Sequence, residues 1–250
     1  MSILQIGKYM CKKVNISSKN ACFLTLDNKY FLKKFTNEYL FDREIFFINK
    51  CEQVEEIIKY HNIVNDRNCK FIVYPNLKCD DLFFHIMNNQ LNKKTKNQIF
   101  YNIMVGINKI YQKNLIHGDI KMENILVQKD NNIKIIDFEF SQLLTKDSIP
   151  NNYGTRSYLS PEKMKGDIVS KKSDIWALGI LYYMLINYQE PYEREFINSE
   201  FYYPSQDKIV DDFVIFSKEE KKLFNMMIQN NYIIRKNPDE IIKYMENNLL

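Results

Sequence analysis

The sequence predicts an α+β fold in two parts: a small β-rich unit over residues 1–77 and a larger, mainly helical one over 78–250. Three observations support this division. Residues 23–35, "FLTLDNKYFLKKF", alternate large apolar and polar side chains around an Asp27-Asn28 turn, the period-two pattern of a hairpin. From about Asp80 the apolar period lengthens. In "TKNQIFYNIMVGINKIYQ" the residues Ile99, Ile103, Ile107 and Ile110 fall on one helical stripe, as core packing requires. The change occurs near Leu77 to Asp81 without a Pro/Gly-rich linker, so a short hinge joins the parts.

The remaining elements follow in order. "NEYLFDREIFFINKCEQV" has helical spacing, and "IIKYHNIV" and "KFIVYPNL" are strand-like runs on either side of "NDRNC", which gives a small sheet carrying one helix. In the second part, "ILV" and "IKII" flank the polar turn "QKDNN" and predict another antiparallel hairpin. The longest apolar run, "IWALGILYYMLI" from Ile175 to Ile186, is far short of the roughly 20 residues that cross a bilayer, and it reads as a buried core helix. Ser217 with Glu220, and Asn237 with Pro238 and Glu240, are capping boxes that start helices in "KKLFNMMIQ" and "IIKYMENNLL".

Composition narrows the class. With 250 residues, 45% of them hydrophobic and 26% charged, the chain can bury a sizeable core and is not of the disordered type. Its 35 basic and 31 acidic side chains leave a net charge of +4, too weak to argue for a nucleic-acid or membrane partner. The five cysteines, Cys11, Cys22, Cys51, Cys69 and Cys79, are odd in number and form no C-x-x-C pair. No secretory apolar run follows Met1, so a reducing compartment, cytoplasmic or nuclear, is the expectation. Heavy use of Asn, Lys, Ile and Tyr with only six glycines fits an AT-rich genome, which suggests a viral or parasitic source.

The second hairpin carries the chemistry. Residues 115–127 read "LIHGDIKMENILV", and "IIDFEF" follows. Asn124 precedes the first strand and Asp137 follows the second, so antiparallel pairing brings both to the open end, with Asp119 and Lys121 on the loop that feeds it. One carboxylate and one amide oxygen suit Mg²⁺, which completes its shell with water and phosphate. Phosphate chemistry then gives Asp119 the task of accepting a hydroxyl proton and Lys121 that of neutralising transferred charge. Singly, an Asp or Asn beside a strand is more often a turn former. Their order together is what carries the argument.

These residues resemble the catalytic core of the eukaryotic protein kinase family, whose catalytic loop reads H-R-D-x-K-x-x-N and whose metal strand ends in D-F-G. The match is His117, Asp119, Lys121 and Asn124, then Asp137 and Phe138. Lys121, two places after Asp119, resembles the serine/threonine branch. "GTRSYLSPE", Gly154 to Glu162, is similar to that branch's G-T-x-x-Y-x-A-P-E segment, which implies that Thr155 contacts Asp119 and Lys121. "SDIWALGILYYML" resembles the buried helix that follows, with Asp174 bracing the catalytic loop. The resemblance also implies that Lys33 and Glu44 form the ion pair that holds the ATP phosphates, while Lys34 faces away with a solvated role. It puts Tyr74 at the gatekeeper position and makes Pro75 to Leu77 the hinge whose backbone binds adenine. Arg235 resembles the arginine that pairs structurally with Glu162. The implied whole is a bilobal protein kinase-like fold over residues 1–250, acting on protein substrates with ATP and Mg²⁺, the metal held by Asn124 and Asp137. With little outside the core, any targeting comes from its surface or from a regulatory protein partner.

Three departures from the family pattern stand out. No G-x-G-x-x-G covers the phosphates: either "NISSKNA", Asn15 to Ala21, serves as the loop, which is the favoured register, or "IGKYMCKKV" does, keeping only Gly7. Gly118 replaces the arginine that grips a phosphorylated activation loop, so activity independent of phosphorylation at Thr145 or Ser148 is expected. The wording H-G-D-I-K resembles vaccinia-related kinases of the casein kinase 1 group, but those lack the S-P-E segment. Glu139 replaces the glycine of D-F-G. A left-handed backbone there would cost about 1–2 kcal/mol, and its carboxylate either faces solvent, the favoured reading, or adds to the metal site. Two other classes compete: a pseudokinase scaffold and a small-molecule phosphotransferase of the aminoglycoside type, which also uses an H-G-D loop. Joint retention of Lys33, Glu44, Asp119, Asn124 and Asp137 favours an active enzyme over the first. "GTRSYLSPE" and "SDIWALG" favour a peptide platform over the second.

Overall fold

The computed structural model describes residues 3–14, 21–144, 154–166, 170–191, 195–197, 200–202 and 216–250, and the statements below refer to these. The first part is a six-stranded antiparallel sheet in the order β1-β2-β3-β4-β6-β5, with one helix between β4 and β5. The strands are β1 (Ile3–Ile6), β2 (Tyr9–Val14), β3 (Cys22–Thr25), β4 (Tyr30–Phe35), β5 (Asn62–Asp66) and β6 (Cys69–Pro75); the helix is α1 (Glu38–Lys50). The predicted Phe23–Phe35 hairpin is β3–β4, with Phe23 opposite Leu32 and Cys22 opposite Lys33. Its turn is held by Thr25, whose hydroxyl donates to Asp27 at 2.6 Å and accepts the Tyr30 N–H at 3.0 Å. The β5–β6 turn has Arg67 and Asn68 both at positive φ, the two-residue geometry that matches strand twist.

Two expectations shift here. "IIKYHNIV" is strand only from Asn62. Ile57 and Ile58 are buried and bridge to the second part instead, the Ile58 N–H donating to Ile135 O and the Ile135 N–H to Glu56 O. A short buried apolar run carries no period that separates a strand from such a join. Likewise α1 stops at Lys50 rather than running on to Val54, because Cys51 turns the chain.

The second part contains β7 (Asp80–Asp81), α2 (Leu82–Asn88), α3 (Lys93–Gln112), β8 (Leu115–Ile116), β9 (Ile125–Val127), β10 (Ile133–Ile135), β11 (Gln142–Leu143), α4 (Pro161–Met164), α5 (Lys171–Asn187), β12 (Glu195–Ile197), β13 (Glu200–Tyr202), α6 (Lys218–Met227) and α7 (Pro238–Asn248). The predicted second hairpin is β9–β10, with Ile125 opposite Ile135. Helix α5 is buried on all sides, as its uninterrupted apolar run requires, and α3 packs on it with Ile99, Ile103, Ile107 and Ile110 inward. Both capping boxes form. Ser217 and Glu220 exchange backbone-to-side-chain bonds at 2.6 and 3.1 Å, and Asn237 does the same with Glu240.

One core runs through both parts, from Phe41, Phe47 and Ile72 through Ile135 and Phe138 to Trp176 and Tyr182. A smaller cluster of Ile6, Tyr9, Phe23, Leu32 and Val73 backs the sheet's other face. All five cysteines are free thiols, and no described helix is long and apolar enough to cross a membrane.

Candidate active site

Strand β4 aims Lys33 at the junction of the two parts, where its ammonium meets three carboxylates. Its Nζ lies 3.2 Å from both oxygens of Glu44, 3.0 Å from Asp137 Oδ1 and 3.0 Å from Glu139 Oε1. Burial alone would lower the Lys33 pKa, but the three negative charges more than offset it and hold the group protonated well above the ordinary lysine range. For Asp137, burial pulls the pKa up and the Lys33 charge and hydrogen bond pull it down further, so it stays ionised. Glu44, 1% exposed, is fixed from three directions: besides Lys33, it accepts the Tyr74 hydroxyl at 2.7 Å and the Phe138 N–H at 3.1 Å.

Glu139 does not face solvent, contrary to the favoured reading from sequence. It is 5% exposed and paired with Lys33. Nor is its backbone left-handed; Asp137 takes that conformation, at φ +68°. Aspartate tolerates this region better than most side chains. The turn that follows sends Phe138 into the core against the His117 ring and returns Glu139 toward Lys33. Arg43 of α1 holds this path by donating to the carbonyls of Glu139 and Ser141.

The catalytic loop leaves β8 at Ile116. Asp174, on α5, accepts the N–H groups of His117 at 2.9 Å and Gly118 at 3.1 Å, the bracing expected of it. Gly118 sits at φ +84°, and a Cβ there would lie 2.4 Å from the Phe140 carbonyl oxygen, so this backbone admits no arginine. The His117 ring accepts the Asp119 N–H at Nδ1, which leaves Nε2 to donate to Ile136 O. Asp119 Oδ1 accepts both the N–H (2.8 Å) and the hydroxyl (3.0 Å) of Thr155, and Lys121 Nζ donates to that hydroxyl at 3.0 Å. Asp119 Oδ2 faces Lys121 Nζ at 3.4 Å and Asn124 Nδ2 at 3.3 Å. Thr155 therefore contacts both residues, as the resemblance implied.

The hairpin closes as its pairing required: the Ile136 N–H donates to Asn124 O at 3.0 Å, one residue before Asp137. Asn124 commits its Nδ2 to Asp119, so the amide oxygen is the end left for a cation. That oxygen and the Asp137 carboxylate, both at the open end of the hairpin, are donors of the hard-oxygen type that Mg²⁺ takes. At the hinge, Tyr74 and Pro75 end β6, and the Asn76 N–H donates to Lys29 O. Lys34, expected to be solvated, is half-buried. Residues 15–21 connect β2 to β3, the strand beside Lys33, whereas Gly7 lies in the β1–β2 turn one hairpin away. That arrangement favours "NISSKNA" as the loop over "IGKYMCKKV"; Asn15 to Asn20 themselves lie outside the described residues, as do Thr145 and Ser148. Far from the nucleotide side, Arg235 and Glu162 form the expected pair, buried and bidentate at 2.6 and 2.8 Å.

Sequence comparison decides the family. The model for "Protein kinase domain" matches residues 13–245. The chain belongs to the protein kinase domain family. Among curated relatives, it is 28% identical over 193 residues to an Aurora kinase from Eremothecium gossypii, covering 76% of this chain and 52% of that one. It is 30% identical over 162 residues to a calcium and calcium/calmodulin-dependent serine/threonine-protein kinase from Pisum sativum, covering 63% and 30%. It is 29% identical over 160 residues to the serine/threonine-protein kinase kin-29 of Caenorhabditis briggsae, covering 63% and 20%. The chain thus spans between a fifth and about half of the length of these relatives. Within this kinase fold, sequence reasoning missed the Tyr74–Glu44 bond, the Arg43 clamp and the place of Glu139. None of these has a local signal, since each joins residues 30 or more positions apart.

Proposed function

We propose that this chain is a serine/threonine protein kinase that transfers the ATP γ-phosphate to protein hydroxyls with Mg²⁺, without needing activation-loop phosphorylation. The observation that carries this reading is Asp119, whose Oδ1 is fixed by Thr155 while its Oδ2 lies beside Lys121 and Asn124. One carboxylate is thereby oriented by two elements, at the end of the loop that also delivers the metal-binding pair. Asp119 positions the substrate hydroxyl and takes its proton; Lys121 offsets charge on the group in transfer; Lys33, held by Glu44, orients the α- and β-phosphates. Mg²⁺, when bound at Asn124 and Asp137, supplies further neutralisation of phosphate charge. Thr155 bridges Asp119 and Lys121 in this arrangement, and the serine/threonine relatives support the same specificity. Independence from phosphorylation follows from Gly118, which has no side chain to grip a phosphate.

The test is incubation of phosphatase-treated protein with labelled Mg-ATP and a basic and an acidic protein substrate, followed by phosphoamino-acid analysis. Labelled serine or threonine, lost with EDTA and in Lys33→Met, is the expected result. No transfer above the Lys33→Met control would instead support a scaffold that keeps the fold without turnover.

A further inference from the structure

Helix α4 carries a buried ammonium that the chemistry above does not use. Lys163 is 4% exposed, and its Nζ donates to the carbonyl oxygen of Gly118 at 2.9 Å. Burial pulls its pKa below the ordinary lysine range, against the opposing pull of Asp174, Asp119 and Glu162. Placing a charge there is costly, and an apolar side chain of similar volume would fill the same space without that cost. Nor does α4 need the lysine as an anchor. The neighbouring Glu162 already binds Arg235 twice and accepts the Ser173 hydroxyl at 3.0 Å.

The target of the bond explains it better. The carbonyl belongs to the peptide that joins Gly118 to Asp119. Asp174 holds the other face of this segment through the N–H groups of residues 117 and 118. Two buried side chains, from α5 and α4, therefore clamp successive backbone groups leading into Asp119. A glycine restricts its own torsions less than any other residue, and the hydrogen bonds to the Gly118 N–H and carbonyl are the directional contacts that set the orientation of the peptide entering Asp119. Lys163 also lies in the chain segment that begins with Gly154 and Thr155, so its bond ties the Thr155 side of the site to the loop that bears Asp119.

We infer that Lys163 is a positioning residue for phosphoryl transfer, acting through the Gly118–Asp119 peptide to hold the Asp119 carboxylate toward the substrate hydroxyl. The inference rests on the proposed kinase activity. It is tested by Lys163→Met, close in volume, and Lys163→Arg, which keeps a cationic donor, with steady-state kinetics and thermal melting of the whole chain. Loss of a charge-assisted bond predicts a fall in kcat of about 10- to 100-fold in Lys163→Met, with KM for ATP within about twofold. Its melting temperature should stay within about 4 °C of wild type, since relief of a buried charge offsets the loss of one carbonyl's donor, and Lys163→Arg should recover most of the rate. A merely structural lysine would show the opposite: kcat retained, or lost only together with stability. If Lys163→Met does not melt cooperatively, Lys163→Gln replaces it under the same expectations. Wild-type transfer with kcat in the neutral variant within about twofold of wild type would overturn this inference alone. No transfer by the wild type would overturn the kinase reading and this inference with it.

Discussion

Replacing Glu139 by glutamine should tighten nucleotide binding. Its carboxylate oxygen lies 3.0 Å from Lys33 Nζ, so it occupies one of the directions from which a phosphate would approach the ammonium. A phosphate oxygen accepting from the same Nζ would come to rest about 4–5 Å from the Glu139 oxygen, given ordinary hydrogen-bond lengths. At an effective dielectric of about 20, like charges at that separation repel by about 3–4 kcal/mol. Side-chain rotation and counterions relieve much of this, leaving about 1–2 kcal/mol, or roughly 5- to 30-fold in Kd. Glutamine is nearly isosteric, and Glu44 and Asp137 still hold Lys33 in the variant. The assay is calorimetric titration of ADP in EDTA, so that only the protein's own charges act, repeated with Mg²⁺. Tighter binding in EDTA, with a smaller difference once the divalent cation shares the charge, is the expected pattern. Equal or weaker binding of ADP to Glu139→Gln in EDTA would refute the reasoning.

Tyr74→Phe removes only the hydroxyl that donates to buried Glu44, and hydrogen bonds to charged groups contribute about 1.5–3 kcal/mol, so urea denaturation should show a loss of that size; an unchanged midpoint would mean that the bond does not hold Glu44. Arg235→Met strands Glu162 in the core and should cost about 3–5 kcal/mol of stability, read from the same denaturation curves, before it alters any chemistry. For Glu162, burial raises the pKa but the Arg235 hydrogen bonds and charge lower it further, so the native value lies below the unfolded one. Its stabilisation is therefore complete above the unfolded pKa of about 4.3 and fades as pH falls through the lower native value. The stability gap between wild type and Glu162→Gln should be level from pH 8 to about 5 and shrink in stronger acid; a gap that widens there would contradict the assignment.

Local patterns made much of this molecule legible. The β9–β10 hairpin could be read because its strands are short, apolar and separated by an unmistakable polar turn, and antiparallel pairing then sets Asn124 beside Ile136, one residue before Asp137, at the open end. Helix α3 and both capping boxes were equally plain, since each signal lies within a few residues. Ile57 and Ile58 could not be placed, because a buried apolar run looks alike in a sheet and in a join between two parts. Glu139 misled for a related reason: its surroundings depend on the left-handed turn at Asp137 and on Lys33, about a hundred positions earlier in the chain. Lys163 has no local signal in the sequence, and only the folded path of Gly118 shows what it reaches.

The account stands on Asp119 as the group that receives the substrate proton within one assembled centre. Single-turnover transfer from labelled Mg-ATP to a serine/threonine protein substrate, measured by rapid quench for wild type and Asp119→Asn, tests this most directly. The account predicts nucleotide affinity within about twofold of wild type and transfer slowed by at least about 100-fold. Transfer by Asp119→Asn within about tenfold of the wild-type rate would contradict it.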